Sequence, residues 1–398
     1  MITLTTLAAI CLWGCLGLVV YAYAGYPLLL RGLSYVFGRS SKSRALDDAE
    51  LPSVSLLIAA HNEEAEIEHR LMNALAMDYP RGKLQIVVGS DGSVDETARI
   101  VEGFADRGVE LFDYEQNRGK ATVLNESVPH LKGEIILFSD ANTYNDPMSA
   151  RNLVRWFRDP AIGVVCGRLV LTDPVSGRNA DGLYWKYENF LKYYENRLGA
   201  LLGSNGAIYA MRKDLYTPID GATIVDDFVI PLLAKVKFGC SIVYDCEAIA
   251  TEETPASVGA EFHRRSRIGA GGFQSIGFLW KILDPRRGWV AFSFLSHKIL
   301  RWFCPFFLIG ALASNAVLLS GGETCYRYLL LAQVAFYLVS LLLAFAPASR
   351  WLRPFRLASL FSGMNLALFV GFCRWLGGNQ CGTWRRTTRL AEERGIVR

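Results

Sequence analysis

The chain has 398 residues, of which 51% are hydrophobic and 20% are charged, and its formal net charge is +4. Because this charge is weak, and the polar part of the chain has no lysine/arginine cluster interleaved with aromatic residues, the composition argues against a nucleic-acid partner. The nine cysteines show no CxxC spacing, and their odd number argues against a complete disulfide framework. We therefore expect the polar domain to face a reducing compartment, the cytosol.

The first 30 residues contain no charged residue. A signal peptide would carry a basic start and a shorter apolar core, so segment 1–30 is predicted to be an N-terminal transmembrane helix. Basic residues follow it, from Arg31 to Arg44, and the positive-inside rule then places its C-terminal end in the cytoplasm. The run 31–50, rich in Ser, Arg and Asp, is predicted to be a linker.

Three further uncharged runs within 302–377 predict C-terminal transmembrane helices: Trp302–Gly322, Tyr328–Ser349 and Leu357–Cys373. The third is near the lower limit of about 17 residues for a crossing. Four crossings would place the basic tail, 378–398, outside and against the charge rule; the alternative is that the last run does not cross fully. The chain is accordingly predicted to be a multi-pass protein of a cell membrane, with a bacterial inner membrane favoured and membrane lipid as a partner.

Segment 261–301 alternates aromatic and aliphatic residues with arginine and lysine. Basic amphipathic stretches beside spanning helices typically lie in the membrane interface, and a core helix of the polar domain is the alternative interpretation. The guanidinium groups of Arg264, Arg265 and Arg267 belong to this segment. For any one of them, contact with a lipid headgroup is as reasonable an expectation as contact with a substrate.

The polar domain, predicted to span 51–260, contains short apolar runs rich in β-branched residues. These predicted strands are 54–60, 84–90, 109–114, 134–140 and 162–171. Helix-like segments lie between them, at 63–77, 94–104, 120–130 and 148–157. Strands that alternate with helices predict an α/β fold with a mostly parallel sheet.

Four carboxylates of this domain, those of Asp91, Asp140, Asp226 and Asp227, are candidate functional groups. Asp91 and Asp140 stand where predicted strands end, and open α/β sheets bind ligands at the carboxyl ends of their strands. The alternative for each aspartate is a turn or a helix cap. The first strand is followed by no glycine fingerprint and no GxxxxGK[ST] occurs, so dinucleotide-binding domains and the usual nucleotide hydrolases are poorly supported.

Asp140 and Asn142 lie two residues apart in a predicted loop, where they can present two oxygens to a hard cation such as Mg²⁺ together with substrate phosphates. Lys120, in the sequence NRGK, offers a cation near the same edge, or is merely solvated. Consecutive helical side chains point about 100° apart, so one of the pair Asp226 and Asp227 can face a pocket squarely.

The motifs AAHNEE, SDGS, NRGK, SDAN, VDD and RRSR follow one another between residue 54 and about residue 275. In this order they resemble the inverting family-2 glycosyltransferases, and more narrowly the membrane-embedded chitin, hyaluronan and cellulose synthases. The resemblance implies a GT-A-like domain, with a mostly parallel sheet, flanked by transmembrane helices and an amphipathic interfacial segment. It also implies a nucleotide-sugar donor and a glycan acceptor.

The resemblance gives individual positions of this sequence a role. Residues predicted to bind the nucleotide sugar are Ala60, His61, Glu63, Asp91, Lys120 and Asp140. Asp140 and Asn142 stand at the metal-binding DxD motif and imply Mg²⁺ or Mn²⁺, and Asp227 stands at the catalytic base, with Asp226 beside it. Residues predicted to contact the acceptor or the diphosphate, including those of the flexible turn 203–207, are Gly203, Asn205, Arg264, Arg265 and Arg267.

Three positions depart from the family pattern. Asn142 replaces the second Asp of DxD, and Arg264 and Ile268 replace the Gln and Trp of QxxRW. The missing Trp leaves processivity open, so transfer of one sugar to a lipid or lipid-linked acceptor is the alternative to polymer growth. A catalytically inactive subunit that binds nucleotide or polysaccharide is the alternative from another class. Four spanning helices are few for a polymer conduit, so a homodimer or a partner exporter is also considered.

Overall fold

The computed structural model describes residues 3–39, 43–173, 179, 182–254, 258–345 and 355–378. These residues form two compact units. The sheet unit takes in the described parts of Leu30–Ala260 and Gln274–Ser293. The helical unit takes in the described parts of Met1–Leu29, Glu261–Phe273 and Phe294–Asn379.

Among the described residues, the sheet unit contains one eight-stranded sheet. Its strands are β1 (Val54–Ala60), β2 (Leu84–Asp91), β3 (Val109–Tyr114), β4 (Ile135–Asp140), β5 (Tyr144–Asn145), β6 (Ile162–Thr172), β7 (Tyr209–Arg212) and β8 (Ser241–Glu253). Their order across the sheet is β3-β2-β1-β4-β7-β6-β8-β5. Strands β1 to β4 run parallel, as do β6 and β8, whereas β7 is antiparallel to both of its neighbours and β5 is antiparallel to β8. The sheet is therefore mixed and mostly parallel, as predicted.

The α-helices of the described chain are listed here in chain order. They are α1 (Leu4–Val20), α2 (Tyr26–Phe37), α3 (Ile67–Leu75), α4 (Thr97–Glu102), α5 (Lys120–Ser127), α6 (Ser149–Val154), α7 (Leu183–Arg197), α8 (Asp226–Phe238), α9 (Val258–Leu279), α10 (Trp289–Ser293), α11 (Leu300–Leu318), α12 (Thr324–Phe345) and α13 (Arg356–Leu376). A π-helical segment, Tyr21–Gly25, connects α1 to α2, and another, Phe294–Ile299, connects α10 to α11.

Strand β1 lies inside the sheet and is buried along its whole length. A strand that is covered on both faces is mostly apolar, as the sequence VSLLIAA is apart from Ser55. Leu56 and Ile58 pack in the same core cluster as Ile67 and Leu71 of α3. This packing fixes α3 against the part of the sheet that carries the candidate site.

The register of the parallel strands brings their carboxyl ends together. Ala60 at the end of β1 is opposite Ser90 of β2, and Ala59 is opposite Asp140 of β4. Asp91, the last residue of β2, is therefore close in register to the end of β1. This edge is where an open α/β sheet binds ligands.

The five predicted strands are confirmed, each with ends that agree within one residue. The structure adds β5, β7 and β8, which the sequence analysis did not predict. β7 has four residues, and the acidic residues Asp245 and Glu247 interrupt the apolar pattern of β8. The proposed limits of the linker, of the polar domain and of the interfacial segment remain predictions.

Four helical stretches of the described chain are long and apolar enough to cross a membrane: Leu4–Phe37, Trp289–Gly321, Thr324–Ala344 and Arg356–Leu376. The second begins at Trp289, before the predicted start at Trp302, and so includes His297, Lys298 and Arg301. Crossing and orientation remain predictions. The predicted basic tail lies outside the described residues except for its first residue.

The helical unit combines small apolar contacts with polar ones. Leu12 of α1 packs with Ala311 of α11. At the π-helical segments, the Tyr21 and Ser296 hydroxyls are 2.9 Å apart, so one donates a hydrogen bond to the other. Small residues and interhelical hydrogen bonds of this kind are the usual means by which membrane helices associate.

The approach of β4 to β1 depends on a glycine before β4. A Cβ atom added to Gly133 would lie 2.5 Å from the carbonyl carbon of Val54 and closer still to the amide nitrogen of Ser55. Because these are backbone atoms of the central strand, Gly133→Ala should lower the free energy of unfolding by about 1–3 kcal/mol. Thermal unfolding in detergent measures this, with Gly82→Ala, whose Cβ would meet nothing within 4 Å, as the control. Equal melting temperatures for the two variants would contradict the prediction.

Candidate active site

The Asp91 carboxylate is fully buried and holds the loop that precedes α5. Its Oδ1 accepts a hydrogen bond from the Arg118 N–H and its Oδ2 accepts one from the Gly119 N–H, both at 2.8 Å. The turn after β2 needs Gly92, which has φ +60°, because a Cβ there would lie 2.5 Å from the Asn117 nitrogen. The observed role of Asp91 is thus to position the loop, and its predicted contact with the nucleotide remains a prediction.

His61 lies beside this turn and contacts its neighbours through both ring nitrogens. Its Nδ1 is 2.7 Å from the carbonyl oxygen of Asp91, and since a carbonyl oxygen accepts, Nδ1 carries the proton. Its Nε2 then accepts from the side-chain amides of Asn117, at 2.8 Å, and Asn62, at 3.2 Å. Asn62 has a left-handed φ of 53°, a conformation in which asparagine is enriched. His61 therefore joins the loops that follow β1 and β3.

Lys120, the first residue of α5, is bound between two of the predicted carboxylates. Its Nζ lies 2.6 Å from Asp140 Oδ1 and 3.3 Å from Asp226 Oδ2. The lysine side chain is 16% exposed and that of Asp226 is 10% exposed, so these ion pairs are poorly screened by water. The ammonium group offsets the repulsion between carboxylates in a confined space.

Asp227 faces the same space from the start of α8. Its Oδ2 accepts a hydrogen bond from the Gly206 N–H at 2.8 Å, and its carbonyl oxygen accepts from the Ser204 hydroxyl at 2.7 Å. A Cβ atom added to Gly206 would lie 3.2 Å from Asp140 Oδ2 and 3.4 Å from Asp227 Oδ2. It would also lie 3.5 Å from Lys120 Nζ. The structure therefore brings these three side chains to one small volume beside Gly206.

Other predicted residues lie around this volume. Ala60 is buried at the end of β1, and the Glu63 N–H donates to the Thr97 hydroxyl at 2.8 Å. Gly203 has φ +78°, and the Asn205 carbonyl accepts from the backbone two residues beyond Gly206. Because of this positive φ, a residue other than glycine at position 203 would adopt the shape of the turn only at a cost in free energy.

Burial changes the protonation of Asp226. It raises the pKa of Asp226 to about 6, and the charges of Asp227 and Asp140 add to this effect, whereas Lys120 opposes it. Burial by itself would lower the pKa of Lys120, but Asp140 and Asp226 raise it above its usual range. Lys120 is therefore an ammonium at neutral pH, and Asp226 is the carboxylate of the cluster that gains a proton near neutrality.

Asp140 and Asn142 fit part of a metal site. Both offer the oxygen ligands that Mg²⁺ and Mn²⁺ prefer. The Asn142 side-chain N–H donates to Glu252 Oε1 at 3.0 Å, which orients the amide and turns its oxygen away from that contact. Within the described residues no three His, Cys, Asp or Glu side chains form a metal cluster. A cation here would thus depend on ligand atoms from a bound substrate, as Mg²⁺ does in many phosphate-binding sites.

The predicted arginines lie on α9. Arg265 Nε donates to Glu261 Oε1 at 2.6 Å, one helical turn earlier. Arg264 and Arg265 are half-buried, whereas Arg267 and Ile268 are exposed. Their contact with an acceptor or a diphosphate remains a prediction.

Sequence reasoning missed Arg70, Asn73 and Gly206, which lie next to the predicted carboxylates or their loops. Arg70 is fully buried in α3. Its spacing held a signal, because it lies three residues after Ile67 and four before Ala74, both of which are buried on the same face. For Gly206, the sequence indicates a flexible turn but does not reveal that the glycine lies between the carboxylates.

The comparisons agree with this fold. Residues 55–216 match the family described as Glycosyl transferase family 2. The chain therefore contains a glycosyltransferase family 2 domain. Apart from Val54, the strands β1 to β7 and the first four motifs fall within the matched residues, whereas Asp226 and Asp227 follow them.

Among curated proteins, the chain is similar to poly-beta-1,6-N-acetyl-D-glucosamine synthase of Staphylococcus aureus strain COL, with 26% identity over 232 residues. It is also similar to the protein of that name from Staphylococcus epidermidis strain ATCC 35984, with 25% identity over 232 residues. Both matches cover 56% of this chain and 56% of the relative. The chain thus spans little more than half the length of these relatives.

Among solved structures, the chain is similar to the mannosyltransferase PcManGT from Pyrobaculum calidifontis in complex with GDP-Man and Mn²⁺. The TM-score is 0.70 with 21% identity, and the match covers 95% of this chain and 100% of that one. This likeness concerns the fold, and it confirms the predicted GT-A-like architecture.

The raised pKa of Asp226 predicts a pH-dependent stability. The folded value of about 6 exceeds the value of about 3.9 for an unfolded aspartate, so between them the folded protein binds a proton that the unfolded chain releases. The stabilisation is present below about pH 4 and is lost as the pH rises through about 6. Asp226→Asn removes this pH-dependent loss of stability. The melting temperature of the variant should therefore rise relative to that of the wild type as the pH increases between these two values. A difference that stays constant across the pH series would show that burial of Asp226 has no such effect.

Proposed function

We propose that this protein is a membrane-bound glycosyltransferase that moves a sugar from a nucleotide-diphosphate sugar to a growing polysaccharide or oligosaccharide. The observation that carries the proposal is the convergence of Asp140, Asp227 and Lys120 beside Gly206, in and next to a family-2 domain. The names of the curated relatives favour a polymer as the product. Among the described residues, four candidate spanning stretches favour a membrane location with the sheet unit in the cytosol.

The donor would bind at the carboxyl edge of the sheet. Ala60, His61, Glu63 and Asp91 would surround the base and ribose, and Lys120 would lie beside the diphosphate. Asp140 and Asn142 would hold Mg²⁺ or Mn²⁺, which when bound neutralises negative charge on the diphosphate leaving group. Lys120 would add positive charge on the protein side.

Asp227 is the proposed base. Its carboxylate, oriented by the Gly206 N–H, would accept the proton of an acceptor hydroxyl as that oxygen bonds to the anomeric carbon. The bond from the anomeric carbon to the diphosphate breaks on the opposite face, so configuration inverts. Asp226 is buried and paired with Lys120, so its role would be to hold the lysine and not to meet the acceptor.

The acceptor would enter near Gly203 and Asn205, and contact of Arg264, Arg265 and Arg267 with the acceptor or the diphosphate stays a prediction. Transfer of a single sugar to a lipid or lipid-linked acceptor is the second candidate function, and Ile268 in place of the family's Trp favours it. Radiolabelled donor with membranes separates the two. Water-soluble polymer supports the first, and an organic-extractable product with one added sugar supports the second. A homodimer or a partner exporter would complete the conduit that a polymer needs.

The direct test is release of nucleoside diphosphate from a panel of nucleotide sugars by purified protein, with and without Mn²⁺. We expect one donor to be used in preference and its use to depend on the metal. Absence of release from every donor, in protein whose thermal unfolding shows that it is folded, would leave the inactive-subunit hypothesis in its place.

Asp227→Asn should lower turnover by at least about 100-fold, because general-base catalysis typically contributes that much or more. Nucleotide binding should change little, since the amide keeps the shape of the carboxylate. Initial rates and binding of the nucleoside diphosphate measure the two effects. Asp106→Asn, an exposed aspartate away from the site, is the matched control. Turnover of Asp227→Asn close to that of the control would refute the assignment.

A further inference from the structure

One face of α3 contacts the loop that carries Asp140 and Asn142. This loop, residues 140–145, is here called the 140–145 loop. Arg70 Nε donates to the carbonyl oxygen of Asp140 at 3.3 Å, at the start of the loop. The Tyr144 hydroxyl donates to Glu66 Oε2 at 2.6 Å, near its end.

Asn73 completes this set of contacts. Its Oδ1 accepts from the Asn145 N–H at 2.8 Å, and its Nδ2 donates to the Asn145 carbonyl at 2.9 Å. The side-chain amide thus pairs with the backbone of Asn145 in the way a neighbouring strand would. Arg70 Nη1 donates to the same Asn73 Oδ1 at 3.1 Å, so the arginine and the asparagine act as one unit.

Arg70 is an expensive residue to bury for packing alone. Its side chain has no exposed surface, and its Nη2 has no hydrogen-bond partner in the described part of the chain. Burial lowers its pKa to about 10, so it still carries its charge at neutral pH. Its hydrogen bonds go to a carbonyl and an amide, and a buried charge is generally less stabilising than an apolar side chain of similar volume. A function other than stability would explain its presence.

The position of Arg70 indicates that function. It donates to the main chain of Asp140, the residue whose carboxylate meets Lys120. Tyr144 and Asp140 both raise the pKa of Arg70 against the effect of burial. A donor that holds the main chain at Asp140 also limits where the side chains of Asp140 and Asn142 can lie. Residues that orient metal ligands in this way generally matter about 10- to 100-fold for affinity or activity.

We propose that Arg70, acting with Asn73, is a positioning residue that holds the 140–145 loop so that Asp140 and Asn142 meet the metal and the diphosphate. The inference rests on the proposed function for its metal and diphosphate. The contact between α3 and the loop does not depend on that function. The two parts are therefore tested by different measurements.

Hydrogen exchange of the loop tests the contact. In the full-length protein, Arg70→Met should speed exchange of the amides of the 140–145 loop by at least tenfold while the β1 amides keep their protection. Asn73→Ala, which leaves the buried charge in place, should have the same local effect and guards against a folding failure of the first variant. Arg99→Met is the control, because Arg99 is 74% exposed and paired with Glu96 on α4. Loop exchange equal to that of the control in both variants would overturn the inference.

Binding of Mn²⁺ in the presence of the nucleoside diphosphate of the preferred donor, followed by electron paramagnetic resonance, tests the role in the site. We expect affinity to fall about 10- to 100-fold in Arg70→Met and less in Arg70→Lys, which keeps the charge and one donor. If the wild type binds Mn²⁺ and Arg70→Met binds it equally well, the positioning role is overturned. If the wild type itself neither binds Mn²⁺ nor releases diphosphate, the proposed function is overturned, whichever way the loop exchanges.

Discussion

The ion pairs of Lys120 are the interaction on which the candidate site depends. Asp140 and Asp227, from distant segments of the chain, approach Gly206, and Asp226 approaches Lys120 beside it. The like charges of the three aspartates oppose that arrangement. The ammonium group of Lys120 offsets this repulsion. Without Lys120, its poorly solvated carboxylate partners would be left with uncompensated charge. The ion pairs also join α5 to β4 and α8. The positions of these elements in the site therefore depend on the charges of Lys120 and its two partners.

Part of the fold could be predicted from sequence, because a parallel sheet has a simple pattern. β1, β2 and β4 are continuous apolar runs that end in polar loops, and each was located within a residue. β7 could not be found in this way, since four residues give too short a pattern. It lies between β4 and β6 and runs antiparallel to both, and this pairing is decided by tertiary contacts that no local run reveals.

The site was predictable where chemistry and position coincide. Asp140, Asp226 and Asp227 were named from strand ends and motif order, and the structure places them with Lys120. What the sequence could not give is which side chains hold others in place. From the sequence, Asp91 is predicted to bind the nucleotide sugar. In the structure its two carboxylate oxygens accept hydrogen bonds from the backbone of the NRGK loop. Arg70 is another residue that holds others in place. Residue type alone does not distinguish a buried arginine from a solvated one.

The central claim is that a diphosphate binds between Asp140 and Asp227, beside Gly206. A structure determined with Mn²⁺ and the nucleoside diphosphate of the preferred donor tests it most directly. The account predicts that the diphosphate contacts Asp140 through the metal and lies within reach of Lys120, with Asp227 facing the side from which an acceptor would approach. A nucleotide bound at another edge of the sheet, with these carboxylates out of contact with it, would contradict the account.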